Sequence, residues 1–316
     1  ILVDEAHNLV DRARGMYSVT LEQQRLLRVK KTAPKVLKKA LDRTARAWQT
    51  LIRDQDVDPA VPVFLETLPA SLIGSLQGLV SSLTDYLADN PPDLALQELL
   101  FESVGFMKLA DSFGDHSLCE FRRAGRGRAS VTIQNLIPAD FLRERFAAAG
   151  PVLLFSATLS PGIYYRDLLG LPETTAFTSL PSPFSADQLQ VHFTPRISTR
   201  QGHREASRAP IADIIASQFR ERPGHYLAFF SSFQYLRSVS ETLAEQAPDI
   251  PQRCQAPGMS QAGREAFLAE FRQPEPSVAF AVLGGVFSEG IDLPGDQLIG
   301  AFVATLGLPP FDAWHE

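Results

Sequence analysis

The feature that most constrains this fold is the distance between its first strand and the next. Ile1, Leu2 and Val3 read as a short buried strand whose carboxyl end presents Asp4 and Glu5. The next strand-like segments are Ser130–Leu136 and Pro151–Phe155. A parallel crossover needs only about a dozen residues beyond its strand, usually one helix. Here more than a hundred intervene. They carry Leu37, Leu41, Ala45 and Trp48, then Leu72, Leu76, Leu79, Leu83 and Leu87, at helical spacing. Pro59, Pro62, Pro69, Pro91 and Pro92 punctuate them. The pattern predicts a helical domain inserted over residues 16–129, with the leucines as its core.

From Leu189 onward strand and helix alternate. Strands are predicted at Leu189–Phe193, Tyr226–Phe230, Ser277–Leu283 and Leu298–Thr305, and helices over 211–219, 234–246 and 260–272. Such alternation predicts a doubly wound parallel sheet. In that architecture ligands bind at loops after the strand ends. Ser231-Ser232, Gly284–Gly295 and the residues from Thr305 onward sit there. Leu180-Pro181-Ser182-Pro183-Phe184 reads as a proline-stiffened linker.

The chemistry begins at the two acids. An Asp-Glu pair after a buried strand suits nucleotide hydrolysis. Asp4 would hold Mg²⁺ through water, and Glu5 would polarise the water that attacks the γ-phosphate. The plain alternative is a strand followed by an acidic helix start. Three segments, Ile1-Leu2-Val3-Asp4-Glu5-Ala6-His7, Leu154-Phe155-Ser156-Ala157-Thr158-Leu159-Ser160-Pro161 and Gly284–Gly295 with its run Phe287-Ser288-Glu289-Gly290-Ile291-Asp292-Leu293-Pro294-Gly295, occur in this order. Together they resemble a superfamily 2 ATP-dependent DNA helicase of the XPD/DinG type.

That resemblance implies two RecA-like parallel-sheet domains, both incomplete here. The first would comprise residues 1–15 and 130–178, interrupted by an arch-like insertion at 16–129 that helps enclose single-stranded DNA. The second would be 179–316. It implies ATP and Mg²⁺ as cofactors, single-stranded or forked DNA as partner, and 5′→3′ movement. Glu5 and Asp4 would be catalytic. His7, Ser156 and Thr158 would couple nucleotide state to neighbouring motifs. Gly285, Ser288, Glu289, Gly290 and Asp292 would touch nucleotide and nucleic acid. Local alternatives stay open: Ser156 and Thr158 also suit a helix cap, and His7 a surface position.

The family also has an earlier phosphate-binding loop. None of the six lysines here follows a glycine, so no Gly-x-x-x-x-Gly-Lys-Ser/Thr occurs. The chain therefore reads as the middle of a helicase, and the expectation is that it is inactive alone. Many relatives hold an iron–sulfur cluster on four cysteines upstream of the acidic motif. Only Cys119 and Cys254 occur here, which supports neither a cluster nor a disulfide framework and suits a reducing cytoplasm.

The net charge of −6 does not mark a nucleic-acid binder, so distribution matters more. Between Glu22 and Asp42 lie Arg25, Arg28, Lys30, Lys31, Lys35, Lys38 and Lys39 without one acid. Arg122, Arg123, Arg126 and Arg128 form a second group, interleaved with Gly125 and Gly127. Either is a solvated surface or a contact for DNA phosphates. The glycine-flanked arginines are the stronger candidates, since a flexible backbone lets them approach a phosphate chain. Ser231 and Ser232 open a helix and could bind a phosphate or simply cap it. No run approaches the ~20 apolar residues of a membrane helix. Competing functions are a non-catalytic nucleic-acid-binding module, a scaffold built on the insertion, and an RNA helicase. The long insertion argues against the last.

Overall fold

The structure is a computed structural model that describes residues 1–55, 61–124 and 128–307. Contacts divide the chain into Ile1–Pro181 and Ser182–Glu316, a boundary inside the Leu180–Phe184 linker. No helix among the described residues is long and apolar enough to cross a membrane.

The first unit opens with β1 (Leu2–Val3), a 3₁₀ turn at Ala6–Asn8 and α1 (Leu9–Met16). There follow β2 (Val19–Glu22), α2 (Gln23–Thr32), α3 (Lys38–Asp54), β3 (Val63–Leu65), α4 (Ala70–Asp89), α5 (Leu94–Ala110), β4 (Ser117–Ala124) and β5 (Arg128–Asn135). It closes with α6 (Ala139–Ala148), β6 (Leu153–Leu154) and α7 (Gly162–Leu169). β1 and β6 pair in parallel, Leu2 beside Leu153 and Val3 beside Leu154. The long crossover between them holds the insertion. Its leucines are core as their spacing predicts: Leu37, Leu41, Leu72, Leu76, Leu79 and Leu83 pack with Trp48, Phe106 and Phe121. Pro59 lies outside the described residues.

The insertion is not wholly helical. β2, β5, β4 and β3 form an antiparallel sheet in that order. Ser130–Leu136 had been expected in the parallel sheet with β1. Instead, Ser130–Asn135 belong to β5 within the insertion, with 130–133 paired on both sides and Gln134 and Asn135 paired with β4, and Leu136 lies past its end. Strict alternation explains the difference. Val131 and Ile133 face the helical core while Ser130 and Thr132 face away, the pattern of a one-side-covered antiparallel strand. Cys119 lies on the covered face, and burial pushes its thiol up to about 12.

A separate cluster of Val10, Ala13, Tyr17, Leu142 and Leu169 joins α1, α6 and α7, with Tyr17 stacked on Phe141 at 4.3 Å. α7 ends at Gly170, whose φ of +65° favours glycine. A β-carbon there would lie 2.5 Å from the Ala139 carbonyl oxygen. Gly170→Ala is expected to cost about 1–3 kcal/mol, the scale of one strained residue held by its surroundings. Urea unfolding of the chain tests it, and an unchanged midpoint would show that α6 gives way freely.

In the second unit α8 (Arg204–Glu221), β7 (His225–Phe230), α9 (Phe233–Gln246), β8 (Gln252–Cys254), α10 (Gln261–Ala269), β9 (Ser277–Val282) and β10 (Gly300–Val303) follow in turn. The sheet is parallel throughout, in the order β10-β7-β9-β8. Side chains alternate between its faces. Tyr226, Ala228, Phe230, Val278 and Phe280 pack toward α8 and α9. Leu227, Ala279 and Ala281 pack on Phe267, Phe271 and Phe287. This is the doubly wound, RecA-like α/β class that the sequence predicts. One expected strand is missing. Leu189–Phe193 pairs with nothing among the described residues, and Leu189, Val191 and Phe193 are exposed. Alternating hydrophobicity makes a strand only where a neighbouring edge is available.

Candidate active site

In the first unit the proposed catalytic acids stand at the carboxyl end of β1. The Glu5 amide donates to Asp4 Oδ1 at 2.8 Å, and the other Asp4 oxygen has no hydrogen bond among the described residues. Glu5 is the sole non-glycine residue with positive φ among those described, at φ 49° and ψ 43°. The left-handed region is costly for a residue that carries a β-carbon and recurs at functional positions. The Ala6 amide fixes the turn by donating to the Phe155 carbonyl oxygen at 3.1 Å.

Pairing of β1 with β6 brings the second motif alongside the first. His7 Nδ1 lies 2.7 Å from Ser156 Oγ and 3.2 Å from Glu5 Oε2. The Ser156 hydroxyl can donate to Glu5 Oε2 at 3.4 Å and lies 3.5 Å from Thr158 Oγ1. The Thr158 amide donates back to Ser156 Oγ at 3.3 Å. Glu5, His7, Ser156 and Thr158 thus form one polar cluster across two strand ends. It admits two proton arrangements. A protonated Nδ1 donates and frees the serine hydroxyl for the carboxylate; an unprotonated Nδ1 accepts that hydroxyl instead. A change at one member therefore alters the hydrogen bonds of the others.

Asp4 fits a Mg²⁺ role as an exposed carboxylate with one oxygen outside that bond. Among the described residues no cluster of three or more His, Cys, Asp or Glu could hold a metal by itself. A single carboxylate suits an ion whose remaining sites are filled by phosphates and water.

In the second unit the candidate loops emerge together, because β7 lies between β9 and β10. The Leu283 amide donates to the Phe230 carbonyl oxygen at 2.9 Å, and the Ala304 amide to that of Phe229 at 2.8 Å. Ser232 is a true N-cap of α9, accepting from the Tyr235 amide at 3.3 Å. Ser231 accepts from Arg204 Nη2 at 2.9 Å, and that guanidinium lies over the Tyr235 ring. Sequence alone did not select Arg204.

The glycine loop is rooted by its apolar residues. Phe287 is 1% exposed and stacks on Phe267 at 4.4 Å; Ile291 and Leu293 pack into the same cluster. Glu289, Gly290 and Asp292 face outward. Positive φ falls at Gly284 and Gly290. Gly285 meets a different demand, since a β-carbon there would press on the Val282 carbonyl oxygen at 3.0 Å and approach the Gln255 side chain. The Ser288 hydroxyl donates to that same carbonyl at 3.3 Å. Buried Gln255 accepts from the Val282 amide at 2.8 Å and steadies the loop's entry. It too was missed; no local signal marks a lone glutamine after a three-residue strand.

The described arginines of the group do not share one face. Arg122, Arg123 and Arg128 lie at the tip of the β4–β5 hairpin, Arg122 opposite Ser130 and Arg123 opposite Ala129. The pleat sends Arg122 and Arg128 to one face and Arg123 to the other. Arg122 Nε donates to the buried Glu120 at 2.6 Å, so that charge is already engaged. Arg126 lies outside the described residues, with Gly125 and Gly127. Nor does the chain leave the insertion just after this group, since β5 completes the inserted sheet.

Residues 215–315 match the helicase C-terminal domain family. The whole chain is similar in fold to an apo XPD structure, at 16% identity and a TM-score of 0.57, covering 99% of this chain and 62% of that one. A second structure, S. tokodaii Xpd4, aligns at 17% identity and a TM-score of 0.48 over 89% of this chain and 56% of that one. No curated protein matches the sequence. The chain thus spans less than two thirds of either solved structure. The domain match agrees with the helicase reading for residues 215–315, and the likeness to the XPD structure agrees with the α/β fold expected from the three motifs.

Proposed function

We propose that this chain is the central part of an ATP-dependent DNA helicase that couples ATP hydrolysis to movement along a single strand. The observation that carries the proposal is the Glu5–His7–Ser156 cluster, which joins the ends of two parallel strands and includes the strained residue Glu5. In this proposal Glu5 orients and deprotonates the attacking water, and its bonds to His7 and Ser156 relay its state to the next motif. Asp4 would hold Mg²⁺, which supplies charge neutralisation at the transferring phosphate. The outward acids of the loop at 287–293 and the Ser231–Arg204 pair are the second unit's contribution to nucleotide and DNA contacts. Movement 5′→3′ rests on the resemblance alone.

With no glycine-preceded lysine to cradle phosphates, the chain by itself should show no ATP turnover above background. Joined to a phosphate-binding loop, it should hydrolyse ATP in response to single-stranded DNA. It should also displace a strand from a 5′-tailed duplex in preference to a 3′-tailed one. DNA binding that ignores nucleotide, with no turnover in the extended protein, would favour the non-catalytic module instead.

A further inference from the structure

We infer that the outer face of α2 and α3 is a binding surface for nucleic-acid backbone, resting on the nucleic-acid reading above but on residues distant in sequence from its motifs. Residues 28–46 carry eight arginines and lysines against one acid, Asp42, in a chain whose net charge is −6. Asp42 is already satisfied by Lys30 Nζ at 2.7 Å, a bond that also ties α2 to α3. That lysine, with Arg46 and Lys38 nearby, holds the Asp42 carboxyl below the usual range. Arg25 is likewise engaged, by Glu98 and Glu102.

The cations that remain outnumber the one acid beside them. Lys38, Lys39, Arg43 and Arg46 are exposed along α3 and have no ion pair among the described residues. Arg28, Lys31 and Lys35 continue the charge across α2 and the connecting turn. Lys39, Arg43 and Arg46 follow the four- and three-residue steps that keep side chains on one helix face, covering ~10 Å of its length. The opposite face is fixed by Leu37, Leu41, Ala45 and Trp48 in the core, so the charged line is held rigidly. A rigid row of cations matches an evenly charged polymer. An acidic protein would be expected to seek apolar anchors as well. The face offers only Val36 and the partly exposed Leu27, and no exposed aromatic ring. Recognition would therefore be of phosphates, independent of base sequence.

The test measures binding of a fluorescent oligothymidylate to the intact chain across a range of salt. The variant replaces Lys38, Lys39, Arg43 and Arg46 by glutamine; a second replaces the two arginines by lysine. Losing four phosphate contacts should make the slope of log K against log salt shallower by about 2.8, at ~0.7 per contact on a single strand. The lysine variant should keep the parent slope, which separates charge loss from misfolding. An unchanged slope in the glutamine variant would overturn the inference while leaving the helicase proposal, which is judged by ATP turnover, untouched. Binding of poly-glutamate with no binding of the oligonucleotide would overturn it too and point to an acidic protein partner.

Discussion

Glu5→Gln, in a protein that joins this chain to a phosphate-binding loop, lowers ATP turnover by about 10²–10⁴-fold and leaves nucleotide binding intact. The amide keeps the length and shape of the carboxylate, so the backbone turn and the neighbouring side chains have no steric reason to move. What it loses is the capacity to take a proton from water. It also disturbs the cluster, because a carboxamide nitrogen near His7 Nδ1 and Ser156 Oγ presents donors where the carboxylate accepted. The loss should therefore appear in kcat, with the affinity for a non-hydrolysable nucleotide within a fewfold of the parent. Single-turnover hydrolysis beside equilibrium nucleotide binding distinguishes the two. Parent-like turnover would remove Glu5 from the chemistry and leave its left-handed backbone without a catalytic reason.

The parts legible in the sequence are those written locally. Asp4-Glu5, the Ser-Ala-Thr after β6 and the glycine loop are short runs whose residue types state their geometry. The leucine spacing of the insertion likewise names its buried face. What escaped depends on partners far along the chain. His7 meets Ser156 across 149 residues of separation. Arg204 reaches Ser231 across 27 residues of separation because α8 packs on α9. Strand character is similarly incomplete information, since pairing decides what it becomes. Ser130–Asn135 and Leu189–Phe193 both read as strands. The first joins the insertion's sheet and the second joins none among the described residues. Proximity in sequence does not place the arginines Arg122, Arg123 and Arg128 on a shared face. A period-2 pleat divides them, while the 3.6-residue period of α3 gathers Lys39, Arg43 and Arg46 onto one side.

The position of the glycine loop depends on one aromatic ring. Phe287→Ala is expected to destabilise the second unit by about 3–5 kcal/mol, the range for removing a buried phenylalanine. Phe287 stacks on Phe267 and closes the face of the sheet formed by Leu227, Ala279 and Ala281. Where in that range the cost falls depends on how far Phe267 and the other large side chains of the cluster relax into the space. The effect should not be confined to stability. Glu289, Gly290 and Asp292 project outward only because Phe287 on one side and Ile291 and Leu293 between and beyond them are anchored in that cluster. With the ring gone the loop loses its deepest anchor, and any nucleotide or DNA contact that it makes should weaken even where the unit remains folded. Phe287→Leu provides the comparison: it keeps most of the buried volume and should retain most of the stability. Denaturant unfolding followed by a probe within the second unit measures both variants. A loss below ~1 kcal/mol for Phe287→Ala would mean that the loop is held by its glycines and backbone bonds instead, and that the outward acids owe their placement to Gly284, Gly290 and the Ser288–Val282 contact.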